Sequence, residues 1–140
     1  MRGSVNRAIA AYLVSAADRA AGPFWPLRLG RNEIGRDEYT VDVTIRHGMT
    51  ANHHAFIDCA VDGFVLRDLG STNGTFLDEE TIGFQGTRPL RDGSLIRFGG
   101  YSVVFLGLRC AHGHAVPPGG LWCAEGGHDL DQDPRRYRRN

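Results

Sequence analysis

The sequence of 140 residues contains no lysine, so all 16 of its basic residues are arginine. A GC-rich genome explains this bias without any selection for guanidinium chemistry. It still means that an anion site in this chain is built from arginine, which binds phosphate through a bidentate fork. An excess of charge of either sign is also lacking, because 16 acidic residues balance the arginines. Nucleic-acid binding relies on many neutralised phosphates, so we expect no nucleic-acid ligand.

Long hydrophobic runs are missing as well. No segment approaches the roughly 18 apolar residues of a membrane helix, and the apolar patch at residues 8–17 is too weak for a secretory signal. The three cysteines are an odd number and do not suggest a disulfide framework. We therefore expect a protein of the reducing cytoplasm without membrane association. Its composition, 41% hydrophobic and 23% charged, is sufficient for a folded core of about one domain.

Short runs of β-branched and aromatic residues alternate with turn signals between residues 11 and 106. Two such signals, Asp62-Gly63 and Gly99-Gly100, predict tight hairpins. No ten-residue stretch of this region keeps the helical period of 3.6. The pattern predicts an all-β sandwich. The predicted strands are residues 12–15, 25–29, 41–45, 55–59, 64–68, 75–77, 94–98 and 101–106.

The composition changes after Leu106. Residues 107–140 contain paired prolines, paired glycines, two cysteines and three histidines, and they end in an arginine-rich stretch at 135–139. We predict an N-terminal extension at 1–10, a sandwich at 11–106 and a separate, irregular tail at 107–140 that is too rich in glycine for a core of its own. The basic end is interpreted as a solubilising or tethering segment rather than a nucleic-acid arm.

Four short segments carry the functional signal: Ile34-Gly35-Arg36, then residues 50–55 (TANHHA), 68–75 (DLGSTNGT) and 90–99 (LRDGSLIRFG). Each has a simpler explanation by itself, such as a solvated arginine or a favoured Asn-Gly turn. Together, in this order and spacing, they resemble the forkhead-associated (FHA) domain. The pattern of that family runs GR, SxxH, D-x-x-S-x-NGT and L-x-x-G-x-x-I-x-x-G. The resemblance covers roughly residues 11–106.

The resemblance implies a twisted sandwich of two antiparallel sheets whose loops at one end bind phosphothreonine in an extended peptide. The partner would be a threonine-phosphorylated protein, such as a substrate of a Ser/Thr kinase. Arg36 would bind the phosphate, and Asn52 would contact the phosphate or the peptide backbone. Thr72 would line the phosphothreonine pocket, and the amide of Asn73 would hold the peptide backbone.

Other positions match the family in a structural role, and one departs from it. Gly35, His54 and Gly74 are expected to support the loops without touching the ligand. Ala51 occupies the position where the family usually has a serine that donates to the phosphate. The hydroxyl of Thr50, one residue earlier, is expected to point the other way. The site is then either weakened or no longer dependent on phosphate.

The tail contains a possible metal site. Its sequence resembles the zinc-ribbon-like tails that follow some bacterial FHA domains, with Cys110 and His114 as the first half of the ligand set. Cys123 belongs to the second half, but Gly126 stands where a second cysteine is expected, and His128 is the candidate fourth ligand. Zinc accepts mixed Cys and His ligands in tetrahedral geometry. The alternative is a tail whose ligands have partly decayed.

These features favour a binding module over an enzyme. No nucleophile with a base is evident, and the acid pair Glu79-Glu80 lacks a partner. The leading hypothesis is a phosphothreonine-peptide-binding adaptor that requires no cofactor. The alternatives are a phosphate-independent scaffold with the same fold, which Ala51 favours, and an adaptor stabilised by zinc in its tail.

Overall fold

A computed structural model describes residues 7–137. The first six residues of the predicted N-terminal extension therefore lie outside the described residues, as do Arg138 and Arg139 of the basic end. The described chain is all-β, with one turn of 3₁₀ helix at Pro134–Arg136. Its strands are β1 (Ile9–Ser15), β2 (Phe24–Arg28), β3 (Gly30–Gly35), β4 (Val43–Thr44), β5 (Ala55–Ala60), β6 (Gly63–Asp68), β7 (Thr75–Leu77), β8 (Glu80–Thr81), β9 (Thr87–Leu90), β10 (Leu95–Phe98) and β11 (Tyr101–Gly107).

The strands form two sheets, which confirms the predicted sandwich. Sheet A has the order β2-β1-β11-β10-β7-β8, and sheet B has the order β4-β3-β5-β6-β9. Neighbouring strands are antiparallel except β3 and β4, which run parallel. Within residues 7–137, no helix has the length and apolar character needed to cross a bilayer.

One of the two predicted hairpin turns is confirmed, and the other is shifted by one residue. Phe98 pairs with Tyr101, so Gly99 and Gly100 form the predicted turn, and Gly99 has a φ of 66°. The other turn lies one residue earlier than predicted, because Ala60 pairs with Gly63 and leaves residues 61–62 as the turn. No residue of this second turn has a positive φ, so it does not need the conformational freedom of glycine.

The sequence pattern missed three strands, β3 and the two short edge strands β8 and β9, and it overestimated a fourth at residues 41–45. β8 and β9 are mostly exposed, so they lack the alternation of apolar residues that marks a half-buried strand. The predicted strand at 41–45 is reduced to Val43–Thr44. Its flanking residues Val41 and Ile45 are buried without belonging to a ladder, so their apolar character reflects the core rather than the sheet.

The main core lies between the two sheets. It is made of the inward-facing residues of both, including Leu13, Phe98 and Phe105 from sheet A and Ile34 and Ile57 from sheet B, all fully buried. The alternation of β-strand side chains places these residues on the inner faces.

A second core covers the outer face of sheet A. The side chains that point outward from β1 and β11 form directly opposed pairs, Tyr12 with Leu106 and Val14 with Val104. The segment after β11 packs on them through Leu108, Cys110, Val116, Cys123 and Tyr137. Residues 107–137 therefore do not form a separate tail. Although they are too rich in glycine for a core of their own, they share one with the sandwich.

This arrangement explains why β1 has no alternation of apolar and polar residues from Ile9 to Val14. A strand with one solvated face alternates apolar and polar residues, whereas every residue of β1 from Ala10 to Ser15 is buried. A backbone hydrogen bond and an aromatic contact also hold the segment after β11 in this position. The Gly119 amide donates to the Ile9 carbonyl, and the Tyr137 ring packs edge-on against Tyr12.

We predict that Leu106→Ala lowers the free energy of unfolding by about 2–5 kcal/mol, the usual cost of truncating a buried leucine. Leu106 faces away from the main core and is buried only because the C-terminal segment covers it. The matched control is Val65→Ala at an exposed position of sheet B, which should change stability by less than about 0.5 kcal/mol. Urea denaturation measures both. Equal, small effects would show that the C-terminal segment does not pack on sheet A.

Candidate functional site at the loop end of the sandwich

The end of β3 passes directly against the loop that precedes β5. A Cβ atom on Gly35 would lie 2.0 Å from the carbonyl oxygen of Asn52, so only glycine allows this approach. The amide of Arg36 donates to the carbonyl of Ala51, and the amide of Asp37 donates to that of Asn52. Two consecutive backbone hydrogen bonds thus hold Arg36 beside the loop at residues 51–52.

The side chain of Arg36 reaches an exposed position over the same loop. Its guanidinium donates to the carbonyl of Gly48 at 3.3 Å. Within residues 7–137, no ion pair involves Arg36, whereas the nearby Arg46 is paired with Glu38. The charge of Arg36 is therefore available to a ligand.

The loop between β6 and β7 meets this loop from the other side. The side-chain amide of Asn73 donates to the carbonyl of Met49 at 3.0 Å. This carbonyl is next to that of Gly48, which the Arg36 guanidinium contacts. Thr72 and Asn52 are exposed in the two loops. The structure thus brings the predicted ligand residues Arg36, Asn52, Thr72 and Asn73 to one end of the sandwich, around the backbone of residues 48–52.

His54 connects the two loops from beneath. Its Nδ1 accepts from the amide of Ala51, so its Nε2 carries the proton and donates to the carbonyl of Gly74 at 2.8 Å. The ring is fully buried and packs edge-on against Phe98. Burial lowers the pKa of His54, which favours the neutral form that these two hydrogen bonds require. Neither ring nitrogen is free for a ligand.

The hydroxyl of Thr50 does not replace the serine that is missing at position 51. It is buried and donates to the carbonyl of Phe98 at 2.9 Å, which attaches the loop to the end of β10. Ala51 is half-buried and has no polar side-chain group. Its backbone amide donates to His54 and its carbonyl accepts from the Arg36 amide, so neither is available to a ligand.

Asp68 organises the loop that carries Thr72 and Asn73. One carboxylate oxygen accepts from the hydroxyls of Ser71 and Thr75, and the other accepts from the amides of Gly70, Ser71 and Gln85. Burial by itself would raise the pKa of Asp68, but the hydrogen bonds outweigh it and hold the pKa below its ordinary value. The ionised carboxylate is therefore part of the folded structure.

Comparison with protein families decides what this arrangement is. The family model of the FHA domain matches residues 29–99, half of the chain. The chain belongs to the FHA family. No curated protein matches it in sequence.

Solved FHA structures share its fold. EmbR of Mycobacterium tuberculosis, in complex with a low-affinity phosphopeptide, is 28% identical with a TM-score of 0.61, and the match covers 70% of this chain. The chain spans only 24% of the EmbR chain. An FHA domain analysed for phosphothreonine-dependent interactions is 27% identical with a TM-score of 0.61, over 69% of this chain and 95% of that one. An FHA domain of Arabidopsis thaliana, 23% identical with a TM-score of 0.61 over 76% of this chain and 93% of that one, shows the same fold.

Sequence reasoning missed two supports of the FHA loops. Asp68 was recognised as part of a motif but not as the acceptor that holds the loop. Gly99 also closes the site, because a Cβ atom there would lie 2.0 Å from the carbonyl oxygen of Met49. Both residues belong to the motifs quoted above, so the signal was present. Most partners of Asp68 lie within seven residues of it, whereas the contact of Gly99 with Met49 joins segments that are distant in sequence.

The four predicted metal ligands of the C-terminal segment also come together. One ligand atom each from Cys110, His114, Cys123 and His128 lies within 4.8 Å of all the others. This group shares no residue with the FHA loops.

We predict that Asp68→Asn lowers the free energy of unfolding by at least about 2 kcal/mol at neutral pH, because an amide cannot replace both accepting oxygens. A carboxylate whose pKa is lower in the folded state stabilises the protein above its unfolded pKa. That contribution is lost as the pH falls through the folded pKa.

The difference between wild type and Asp68→Asn should therefore shrink as the pH falls below about 4. Urea denaturation across the pH range measures it, with Asp58→Asn, at an exposed position of β5, as the control. A difference independent of pH would contradict the role assigned to the Asp68 charge.

Proposed function

We propose that this FHA domain binds an extended peptide containing phosphothreonine, presented by a threonine-phosphorylated partner protein. The observation that carries the proposal is the convergence of Arg36 and Asn73 on adjacent carbonyls, those of Gly48 and Met49. These contacts place a cation and an amide on one surface, each exposed to solvent.

The chemistry of the two side chains suits the two parts of such a ligand. The exposed guanidinium of Arg36 uses one N–H on Gly48 and retains donors for phosphate oxygens, to which it forms strong charge-assisted hydrogen bonds. The amide of Asn73 can bind the main chain of an extended peptide, and Asn52 and Thr72 supply further polar groups. Backbone hydrogen bonds and His54 hold the two loops that carry these side chains in place before the ligand arrives, which lowers the entropic cost of binding.

Two of the similar structures support this assignment. EmbR is in complex with a phosphopeptide, and the second FHA domain has phosphothreonine-dependent interactions. Both share more than a quarter of their aligned residues with this chain. We extend their ligand class to it because the residues named above occupy the same end of the sandwich as the family motifs predict.

We also infer that the domain is a binding module and not an enzyme. His54, the buried histidine of the site, has both ring nitrogens engaged with the backbone and therefore cannot serve as a general base. Asp68 accepts five hydrogen bonds and is similarly occupied. The titratable groups at this end thus maintain the loops.

A second candidate function is a scaffold that binds partners without phosphate. Ala51 favours it, because the side chain that donates to phosphate in the family is absent and Thr50 is turned inward. A hydrogen bond to a charged group contributes about 1.5–3 kcal/mol, so its loss weakens phosphate binding roughly ten- to a hundredfold. Measuring a phosphothreonine peptide library beside its unphosphorylated copy distinguishes the two functions.

We predict that Arg36→Ala reduces affinity for a phosphothreonine peptide selected from that library by more than about a hundredfold. Arg36 is the one arginine that the motif places at the phosphate, and a bidentate contact supplies two charge-assisted hydrogen bonds. Isothermal titration calorimetry measures the affinity. The control is Arg88→Ala, which removes the same charge from an exposed position of β9 and should leave affinity within about twofold. Wild-type affinity in Arg36→Ala would mean that a different surface binds the peptide.

We predict that Ala51→Ser raises affinity for the same phosphopeptide by about ten- to a hundredfold and leaves the unphosphorylated peptide unaffected. Position 51 lies beside Arg36, since the amide of one donates to the carbonyl of the other. A new hydroxyl thus joins a site whose other donors are already in place.

The gain in Ala51→Ser is smaller where an ordered water already fills the place of the missing donor. Titrations of both proteins with both peptides separate the candidate functions. If neither wild type nor Ala51→Ser distinguishes phosphorylated from plain peptide, the phosphate geometry is lost and the scaffold function stands.

A further inference from the structure

The C-terminal segment contains a compact cluster of two sulfur and two nitrogen atoms. The Sγ of Cys110 lies 3.5 Å from the Nδ1 of His114 and 4.0 Å from the Nδ1 of His128. The Sγ of Cys123 lies 3.8 Å and 3.4 Å from the same two nitrogens. Each sulfur thus contacts both nitrogens, and each nitrogen contacts both sulfurs.

The four sulfur–nitrogen distances fit a tetrahedral zinc site. With Zn–S bonds of about 2.3 Å and Zn–N bonds of about 2.0–2.1 Å, tetrahedral angles separate sulfur from nitrogen by about 3.6 Å. The four observed separations lie on both sides of that value. Two cysteines and two histidines are also among the standard ligand sets of structural zinc sites.

Hydrogen bonding among the four side chains does not account for the cluster. A thiol has one proton to donate, and an unprotonated Nδ1 has one lone pair to accept it, so two thiols satisfy two of the four contacts. A cation at the centre satisfies all four at once. Both cysteines are buried, so a binding partner is needed to make their close approach to two imidazoles favourable.

The backbone around Cys110 supports a thiolate. The amides of His112 and His114 both lie 3.3 Å from its Sγ and donate to it. Hydrogen bonds from amides stabilise the negative charge of a metal-bound sulfur and orient it. The chain reverses direction between Cys110 and His114, where the Gly113 amide donates to the Cys110 carbonyl.

The second half of the cluster is a similar turn with one more residue. The amide of Gly127 donates to the carbonyl of Cys123, and the next residue is the ligand His128. In both turns the residue directly before the histidine is a glycine with a positive φ, 86° at Gly113 and 67° at Gly127. Residues other than glycine rarely adopt a positive φ. The two glycines therefore allow each turn to direct its histidine back towards its cysteine.

Gly126 accounts for the unusual ligand pattern. A Cβ atom at this position would lie 2.5 Å from Cε1 of His128, so the imidazole occupies the space of the missing side chain. The absence of a cysteine at position 126 and the presence of a histidine at position 128 are therefore one structural feature. The ring of His112 stacks on that of His128, with 3.9 Å between the ring centroids.

We propose that Cys110, His114, Cys123 and His128 bind one zinc ion that fastens the C-terminal segment to the outer face of sheet A. Four protein ligands leave no open position, so the site is structural and not catalytic. Both cysteines belong to the second core with Tyr12 and Leu106. The ion joins two turns of a segment whose described residues contain only isolated β-bridges and one turn of 3₁₀ helix, and the free energy of metal binding stabilises the fold of this segment. The proposal does not depend on peptide binding.

The test is the metal content of the full chain, purified under reducing conditions without chelators. Elemental analysis should find about one zinc per chain in wild type, and less than about a tenth in Cys123→Ser and in His128→Ala. The matched control is His112→Ala, which removes an exposed histidine that contacts the cluster but is not among the four ligands. It should retain about one zinc. Gly126→Ala keeps all four ligands but displaces the His128 ring, so its zinc should be lost at lower chelator concentrations.

Two further measurements keep the test decisive if a variant folds poorly. Co²⁺ added to metal-free wild type should produce the visible bands of a tetrahedral site and a thiolate charge-transfer band, and the same amount of Co²⁺ should produce neither in Cys123→Ser. Hydrogen exchange after chelation should show loss of protection in residues 108–137 and retained protection in β3, β5 and β6.

Wild type that contains less than half an equivalent of zinc and binds neither added Zn²⁺ nor Co²⁺ would overturn the proposal. Full zinc retention in both ligand variants would do so too.

Discussion

The loop end of the sandwich depends on the buried carboxylate of Asp68. Its five hydrogen bonds connect the end of β6 with Gly70, Ser71, the start of β7 at Thr75 and the turn at Gln85. Such networks are stable only when every member has a partner, because an unsatisfied polar group is costly in a low-dielectric interior. In the described part of the chain, no buried side-chain nitrogen or oxygen lacks one. The loop that carries Thr72 and Asn73 is therefore fixed in shape although its tip is exposed.

His54 extends this network across the site. It joins the amide of Ala51 in one loop to the carbonyl of Gly74 in the other, so that the Arg36 side and the Asn73 side keep a constant separation. Asp68 is the last residue of β6, and His54 directly precedes β5, so both supports stand at the end of sheet B. They contact Thr75 of β7 in sheet A and Gly74 in the loop before it. The proposed binding surface thus lies where the two sheets are joined by side-chain hydrogen bonds instead of by a β-ladder.

The sequence predicted the residue types of this site but not their partners. Gly35, Arg36, Asn52, His54, Thr72 and Asn73 were all identified from local motifs, and the structure places them at one end of the sandwich. The positions of the main strands other than β3 also followed from the period of two. The edge strands β8 and β9 did not, because their exposed residues show no alternation. Nor did the contacts of Gly35 with Asn52 and of Gly99 with Met49, since each joins residues far apart in the chain.

The packing of the C-terminal segment on the sandwich also separates what local sequence predicts from what only long-range contacts decide. The sequence by itself determined the all-β class, the loop motifs and the presence of two cysteines and two histidines that suit zinc, because period, turn chemistry and ligand type are local properties. It also held a sign of the second core, since residues 8–14 of the N-terminal region are apolar without alternation. Only the tertiary structure decided that residues 108–137 cover that strand and that their four ligand atoms converge. The contact between β1 and the C-terminal segment joins residues about a hundred positions apart in the chain. No local sequence pattern specifies which distant segments pack together.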